Sequence, residues 1–216
     1  MPKKFRIPYN PYFLIPFALW ILAGGILIMA FDKKILFFAV NTRYSTFGDI
    51  LMYYITMLGQ AEVIIPVLVA LMILPRFRNW WYFTTALLCN VFPFIIHHFI
   101  KGYLNHPRPR LLYENLPDLH YLPEWPRLLH SGFPSGHSQG AFSFFCFLSL
   151  ILVGKDRKLG VLFFMLAIAA GYSRIYLTAH FFEDVYAGSI FGTVVTTLVF
   201  SVMEYYKGKF PKHTHN

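Results

Sequence analysis

The sequence has few charged residues for its length. Of its 216 residues only 13% are Asp, Glu, Lys or Arg, whereas 56% are hydrophobic and 24 are Phe. A soluble domain of this size would need many more charged side chains to cover its surface. Much of the surface is therefore expected to face lipid, and the length suits one membrane domain comprising residues 1–216.

Cysteine is scarce as well, since the chain contains only Cys89 and Cys146. Both lie within apolar runs, where a thiol acts as a small buried hydrophobic group, and their spacing favours neither a disulfide nor a metal site. Beyond His180 and Asp184, we find no set of His, Asp and Glu that would complete a site for a hard cation. We expect no metal and no cofactor.

Basic segments with interleaved aromatic residues are also missing, although the formal charge is +9. Such segments are typical of nucleic-acid binding, whereas basic residues at the ends of membrane segments are common in apolar chains. The charge therefore favours a membrane as partner and no nucleic acid. The sequence indicates no particular oligomeric state.

What the chain has instead is a series of apolar stretches near the length of about 20 residues that a helix needs to cross a bilayer. The six predicted spans are residues 12–31, a second that includes 63–74 and begins upstream, 80–100, 135–153, 159–177 and 180–206. Apolar side chains of residues 47–58 recur on one helical face, which predicts an interfacial helix. The predicted fold is an all-α integral membrane protein, a six-helix transmembrane bundle with this interfacial helix before the second span and an extracytoplasmic loop at residues 102–134.

Basic residues also predict an orientation. With the amino terminus inside, eleven of the 19 Lys and Arg residues fall in inner segments and eight in outer ones. An excess of Lys and Arg is typical of the cytoplasmic side. Both termini are therefore expected in the cytoplasm of a bacterium, with loop 102–134 and the short link near residues 178–180 together on the periplasmic face of the cell membrane.

Three groups of polar residues lie at these outer ends, one after the third span, one before the fourth and one between the fifth and sixth. They are Lys101 with Arg108 and Pro109, Pro134-Ser135-Gly136-His137, and Ser173-Arg174 with His180 and Asp184. Because the topology brings all three to one membrane face, we expect them to meet although they are far apart in sequence.

Lys101, Arg108 and Arg174 give this face three cations. Charged residues in or beside spans are costly, and any one alone is equally well explained by a side chain that reaches the lipid headgroups. Three together favour an anion site, and the guanidinium fork suits phosphate oxygens in particular.

Pro134, Ser135 and Gly136 predict a helix start, with the proline in the first turn. Gly136 allows close approach of the backbone, and the free N–H groups at a helix start bind phosphate oxygens. An ordinary helix cap would have the same sequence. The group therefore contributes to a functional prediction only in combination with the others.

His180 and Asp184 are four residues apart, which predicts that they are neighbours on one helix face. A carboxylate that accepts from one imidazole nitrogen leaves the other nitrogen free as a nucleophile or base. A purely structural polar pair would show the same spacing, so the pair has two interpretations.

In combination the three groups resemble the signatures of a known family. Lys101-x6-Arg108-Pro109, Pro134-Ser135-Gly136-His137 and Ser173-Arg174-x5-His180-x3-Asp184 look like the three motifs of the type 2 phosphatidic acid phosphatase superfamily. All three are complete and in the expected order, and the resemblance extends over residues 101–184 and the six-span layout. The superfamily also includes soluble acid phosphatases and vanadium haloperoxidases, which the apolar spans argue against.

The resemblance implies a role for each residue. His180 would attack phosphorus and form a phosphohistidine, Asp184 would orient it, and His137 would protonate the leaving oxygen and then activate water. The groups that would hold the phosphoryl oxygens are Lys101, Arg108, Arg174, Ser135 and the backbone N–H of Gly136. Phosphoryl transfer depends mainly on positioning and electrostatics, so fixed cations would take the place of Mg²⁺.

Other polar residues have a structural interpretation beside a functional one. His97 and His98 lie about one turn before Lys101 and either line the site or pack elsewhere. The large apolar side chains of the long loop either dip into the membrane interface, cover the site or pack within the loop; they are Leu111, Leu112, Tyr113, Tyr121, Leu122 and Trp125. Gly188 and Gly192 have the spacing that permits close helix packing.

The expected function is hydrolysis of a lipid phosphate or diphosphate at the outer membrane face. Undecaprenyl diphosphate, phosphatidylglycerol phosphate, phosphatidic acid and the phosphates of lipid A all fit this expectation. One alternative is transfer of the phosphate to another lipid. A transporter with a phosphate pocket is a second alternative, although the sequence has no paired interrupted halves.

Overall fold

The fold consists entirely of helices and connecting segments in the part of the chain that can be described. The computed structural model describes residues 9–152 and 154–210. Its α-helices are α1 (Pro11–Ala30), α2 (Lys33–Asn41), α3 (Thr46–Thr56), α4 (Ala61–Ile73), α5 (Trp80–Tyr103), α6 (Pro109–Tyr113), α7 (Gly136–Ile151), α8 (Leu159–Tyr176) and α9 (Phe182–Tyr206). This confirms the all-α prediction and the prediction of apolar helices long enough for a membrane.

Among the described helices, four are long and apolar enough to cross a bilayer. They are α1, α5, α8 with the preceding 3₁₀ turn, and α9, and a fifth span results if α3 and α4 are counted as one bent element. Helix α7 takes the place of the predicted fourth span but has only 16 residues, or about 24 Å at 1.5 Å per residue. The predicted count of six spans is therefore not confirmed.

Helix α7 is the centre of the bundle, and most of its side chains are buried against α8 and α9. Two glycines of α9 make this packing close. A Cβ atom at Gly188 would lie 2.6 Å from the carbonyl oxygen of Ser135, and one at Gly192 would lie 2.5 Å from that of Gln139. The predicted packing role of these glycines is thus visible as direct backbone-to-backbone contact, which fixes the first turns of α7 beside α9.

The predicted interfacial helix corresponds to α3. Its exposed face is apolar, since Phe47, Ile50 and Tyr54 are all more than half exposed. A 3₁₀ turn over Met57–Gly59 follows, and α4 then runs on at an angle of 56°. The chain therefore breaks where the second span was expected to begin, and this break lies against α7 and α8.

The two ends of the bundle are formed by different parts of the chain. At the end that holds the carboxyl terminus of α9, Arg76 lies 3.8 Å from Asp156, and the Trp81 indole donates to the carbonyl of Met203 at 2.8 Å. The terminal basic residues on which the predicted orientation partly depends lie outside the described residues; they are Lys3, Lys4, Arg6 and Lys212. The opposite end holds the long loop and the link between α8 and α9.

The long loop is tied down at that opposite end. The His120 ring nitrogen Nε2 lies 2.8 Å from Oδ1 of Asp49 in α3, and the hydroxyl of Tyr176 in α8 donates to the same oxygen at 2.8 Å. Helix α2 also packs here, since the Phe37 ring meets those of Tyr113 and Phe181. These contacts join the long loop, α2, α3 and the end of α8 to one another at this end of the bundle.

Candidate functional site

Arg108 joins the long loop to the link between α8 and α9. Its side chain is buried, with 5% of the residue exposed. Nε donates to the carbonyl of His130 at 2.8 Å, Nη2 to that of Ser131 at 3.2 Å and Nη1 to that of Ala179 at 2.9 Å. Because an arginine has a planar set of five N–H donors, these bonds fix both the position and the plane of the guanidinium.

The start of α9 differs from the predicted start of the sixth span. Helix α9 begins at Phe182, so His180 lies in the link before it, and the prediction that His180 and Asp184 share a helix face is wrong. The chain turn nevertheless brings them together, with Nδ1 of His180 3.4 Å from Oδ2 of Asp184. Hydropathy did not mark this boundary because apolar residues continue through Phe181 and Phe182.

Asp184 also caps α9. It is the third residue of the helix, and its Oδ2 accepts the backbone N–H of Phe181 at 2.9 Å. A carboxylate that reaches back to the helix start satisfies a donor without an intrahelical partner and faces the positive end of the helix dipole. The carboxylate beside His180 is therefore held by the helix itself.

His180 presents its other nitrogen to Arg108, since Nε2 lies 3.2 Å from Nη1 of that residue. Burial lowers the pKa of His180 well below its usual range, and the positive charge of Arg108 acts in the same direction. The ring is therefore neutral at pH 7. With the hydrogen on Nδ1, toward Asp184, the lone pair of Nε2 lies beside the guanidinium.

Arg174 is the most deeply buried cation of the group, with 1% of the residue exposed. Its Nη1 donates to the hydroxyl of Thr56 at 2.6 Å, and the guanidinium carbon lies 5.1 Å from the centre of the Trp125 ring. Neither partner carries a negative charge. Of the positions predicted for the apolar loop side chains, Trp125 therefore takes the one that covers the site, beside the guanidinium.

Ser135, Gly136 and His137 form the start of α7. Ser135 is the residue before the helix and accepts the N–H of Ser138 at 3.4 Å, so Pro134 lies just outside the first turn in which it was expected. The N–H of Ser135 donates to the carbonyl of Asp184 at 2.9 Å. The first N–H groups of a helix have no acceptor within it, and the three cations interact electrostatically with His137 in this first turn.

His97 and His98 have different positions, although they are adjacent. His97 is buried, and a Cβ atom at Gly136 would lie 3.1 Å from its Nε2. His98 is exposed and stacks on Phe94, with 6.4 Å between the ring centres. Of the two interpretations, His97 takes the position lining the start of α7 and His98 takes the outward position.

The charges of the group do not balance. Lys101 is half-buried near the end of α5 and interacts electrostatically with Arg108, Arg174 and Asp184. None of the three cations forms an ion pair with Asp or Glu anywhere in residues 9–152 and 154–210. Burial lowers the pKa of the Arg108 guanidinium, an effect that Asp184 partly offsets. Three cations and one carboxylate leave the group with a net positive charge.

Two polar residues of this group were not selected from the sequence. Gln60, between the 3₁₀ turn and α4, has its Nε2 2.9 Å from Nε2 of His137, and Thr56 holds Arg174. Placing a polar side chain within an apolar membrane segment costs free energy, so such a side chain usually has a polar partner. That signal marks Gln60, but the identity of its partner depends on the bend of the chain.

Within the described ranges, no group of three or more His, Cys, Asp and Glu side chains is arranged to hold a metal ion.

A comparison with protein families identifies the chain. The PAP2 superfamily model matches residues 78–207, which is more than half of the sequence. The chain belongs to this superfamily. The match includes every site residue selected from the sequence, from Lys101 to Asp184.

Curated PAP2 relatives match a shorter segment. Lipid phosphate phosphatase 2 of Arabidopsis thaliana is 38% identical over 82 residues, covering 33% of this chain and 28% of that protein. Lipid phosphate phosphatase 1 of the same plant is 37% identical over 82 residues, covering 33% of this chain and 25% of its own length. The matched segment thus spans only about a quarter of these plant proteins.

Two solved structures resemble most of the chain. The crystal structure of Aquifex aeolicus LpxE superposes with a TM-score of 0.66 at 25% identity, covering 80% of this chain and 98% of that one. A transmembrane PAP2 type phosphatidylglycerolphosphate phosphatase from Bacillus subtilis gives a TM-score of 0.67 at 20% identity, covering 94% and 100%. The chain therefore has the fold of the membrane PAP2 phosphatases, and it is related to lipid phosphatases.

Proposed function

We propose that this PAP2 protein hydrolyses a lipid phosphate or diphosphate through a phosphohistidine on His180. The observation that carries the proposal is the burial of Arg174 without an anionic partner in the described chain. An unpaired buried charge costs several kcal/mol, and a phosphoryl group would supply the missing charge. Two guanidinium groups close enough to interact electrostatically match the oxygens of that ligand.

In the proposed first step, Nε2 of His180 attacks phosphorus in line with the bond to the lipid oxygen. A nitrogen–phosphorus bond forms, the phosphorus–oxygen bond breaks, and His137 gives its proton to the leaving oxygen. Asp184 stabilises the positive charge that develops on the His180 ring. The contacts of His180 with Arg108 and Asp184 support this assignment because they leave Nε2 beside the anion-binding group.

In the second step, His137 accepts a proton from water, and the resulting hydroxide oxygen bonds to phosphorus as the bond to His180 breaks. Inorganic phosphate leaves, and both histidines return to their initial states. The negative charge of each transition state would be held by Lys101, Arg108, Arg174, Ser135 and the N–H of Gly136. Fixed cations thus do in this proposal what Mg²⁺ does in other phosphoryl-transfer enzymes.

The proposed location is the periplasmic face of a bacterial cell membrane, with both termini in the cytoplasm. The separation of the two ends of the bundle supports it, because the site lies at the end opposite Arg76 and Arg157. An active site at the end of a bundle, near the depth of the lipid headgroups, suits a substrate that stays in the membrane. The printed names of the relatives, lipid phosphate phosphatase and phosphatidylglycerolphosphate phosphatase, support the same substrate class.

Phosphate release from a panel of lipids tests the proposal. The purified protein in detergent is incubated with undecaprenyl diphosphate, phosphatidylglycerol phosphate, phosphatidic acid or lipid A, with a chelator and without added metal. We expect inorganic phosphate from at least one lipid, and inhibition by vanadate, which imitates pentacoordinate phosphorus. A phosphorylated second lipid without free phosphate would instead establish transfer, and no product from any lipid would refute the proposal.

A further inference from the structure

The break between α3 and α4 contacts two residues of the site. Thr56, the last residue of α3, accepts from Nη1 of Arg174 at 2.6 Å. Gln60, four residues later, has its amide nitrogen 2.9 Å from Nε2 of His137. Both contacts cross large distances in sequence, so they depend on where the bend places the short connecting turn.

Backbone packing fixes this turn. A Cβ atom at Gly59 would lie 2.3 Å from the carbonyl oxygen of His137, and one at Gly140 would lie 2.7 Å from the carbonyl oxygen of Gly59. The two glycines therefore let the turn lie directly on the first two turns of α7. A rigid contact of this kind can hold a side chain within the fraction of an ångström that catalysis requires.

The amide of Gln60 suits a ring that changes its protonation state. An amide donates through its nitrogen to a neutral imidazole and, after rotation, accepts through its oxygen from a protonated one. A carboxylate at this position would bind the protonated ring too strongly. The charged and titratable groups that act on His137 are Arg174, Lys101, Arg108 and His180, whereas Glu62 on α4 is exposed.

We propose that the break between α3 and α4 belongs to the active site, with Gln60 as the positioning residue of His137 and Thr56 as that of Arg174. Gln60 would hold the His137 ring toward the leaving oxygen in the first step and toward water in the second. The assignment rests on the proposed function. Both residues lie before residue 78, where the match to the PAP2 model begins, so the family motifs do not include them.

The roles of the two residues predict different kinetic effects. Loss of the amide in Gln60→Ala should reduce kcat by about tenfold to a hundredfold, the cost of a displaced catalytic group, and leave KM nearly unchanged. Gln60→Glu nearly preserves the shape of the side chain and adds a negative charge. It should therefore stabilise the protonated His137 and move the alkaline limb of kcat/KM to higher pH by about one unit or more.

Thr56→Val should mainly weaken phosphate binding, because it removes the acceptor that orients Arg174. We expect KM and the vanadate concentration for half inhibition to rise several-fold, and Thr56→Ser to restore both. The rise in melting temperature that vanadate produces should be smaller in Thr56→Val and unchanged in Gln60→Ala. This thermal measurement reports binding without turnover.

Glu62→Gln is the matched control, since Glu62 lies two residues after Gln60 in the first turn of α4 and is exposed. Wild-type kcat, KM and pH profile in both Gln60 variants would overturn the assignment of Gln60. A Thr56→Val variant with unchanged vanadate binding would overturn that of Thr56. Failure of the proposed function is distinguishable, because the wild-type protein would then release no phosphate. If Gln60→Ala does not fold, the pH profile of Gln60→Glu still decides.

Discussion

Arg174 is oriented by a hydroxyl and an aromatic ring instead of a carboxylate. Thr56 accepts one of its hydrogen bonds, and the Trp125 ring lies 5.1 Å from the guanidinium carbon. Both contacts position the side chain and leave its charge uncompensated. A residue held in this way is ready for an anion, and its replacement should affect binding and catalysis more than folding.

We expect Arg174→Ala to lower phosphate release by about a hundredfold to a thousandfold, the usual cost of losing one preorganised donor to a transition-state oxygen. Arg174→Lys should recover only part of the rate, because an ammonium lacks the planar fork. Arg127→Ala is the control, since Arg127 is exposed and paired with Glu114. Equal losses in the Arg174 and Arg127 variants would contradict a specific role of Arg174.

His180→Ala should reduce phosphate release at least about a thousandfold, since the proposed nucleophile is removed. The reaction with a lipid that carries a radiolabelled phosphate is quenched rapidly without acid. The wild-type protein should then carry the labelled phosphate, and the His180→Ala protein should carry none. His98→Ala serves for comparison, because His98 faces outward on α5. Release at the wild-type rate from the His180 variant would exclude it as the nucleophile.

The pH behaviour of His180 follows from its burial, which lowers its pKa well below the usual range. The ring should therefore stay neutral, which is its nucleophilic form, when the pH of the free protein falls through the range in which histidine side chains usually titrate. Nitrogen-15 NMR of histidine-labelled protein in phosphate-free buffer, assigned with His180→Gln, measures this directly. A transition of the His180 signal near pH 6.5 would contradict the expectation.

These residue-scale predictions were partly accessible from sequence. His180, Asp184 and the three cations could be selected because their spacing resembles a family motif and because the topology brings them to one face. Thr56 and Gln60 could not be assigned partners, because their contacts depend on a bend that no local pattern specifies. Tertiary packing brings these two side chains to the motif residues, and the local sequence does not specify that packing.

At the scale of elements, the contact between α7 and α9 determines where the site lies. Gly188 and Gly192 bring the two backbones together, and the N–H of Ser135 donates to the carbonyl of Asp184 at 2.9 Å. The start of α7, which carries His137, is thereby joined to the start of α9, which carries Asp184. The spacing of the glycines predicted close packing, but the partner helix could not be read from it.

Gly192→Ala should destabilise the protein by about 1–3 kcal/mol, the usual cost of overpacking, because its Cβ would meet a backbone carbonyl at 2.5 Å. The melting temperature in detergent measures this. Gly102→Ala is the matched control, since a Cβ there meets no atom within 4 Å and alanine favours the helix. Equal melting temperatures of Gly192→Ala and Gly102→Ala would contradict the expectation that α7 and α9 cannot move apart at Gly192 without loss of stability.

At the scale of the whole molecule, the apolar stretches predicted a helical membrane bundle, and the structure agrees for four or five spans. The difference has a physical reason. A hydropathy pattern counts apolar residues but does not show whether the helix is straight, and the chain bends by 56° near Gly59. Helix α7 begins at Gly136 and ends at Ile151, so it is shorter at both ends than the predicted span of residues 135–153.

The proposed orientation predicts different labelling of the two ends. In intact bacterial cells with a permeabilised outer membrane, an impermeant maleimide should label Glu124→Cys in the long loop. Lys155→Cys, at the opposite end, should react only after the cell membrane is opened. Both positions are exposed, and the parent chain is the blank because Cys89 and Cys146 are buried. The reverse pattern would place the site in the cytoplasm.

Arg108 binds backbone carbonyls from two separate parts of the chain, His130 and Ser131 in the loop and Ala179 after α8. During biosynthesis these parts leave the ribosome at different times, and Asp184 follows last. A nascent chain lacking α9 therefore contains all three carbonyls that hold Arg108 but not the Asp184 carboxylate beside His180. The proposed site is therefore incomplete until the last helix of the bundle has been made and has packed against α7.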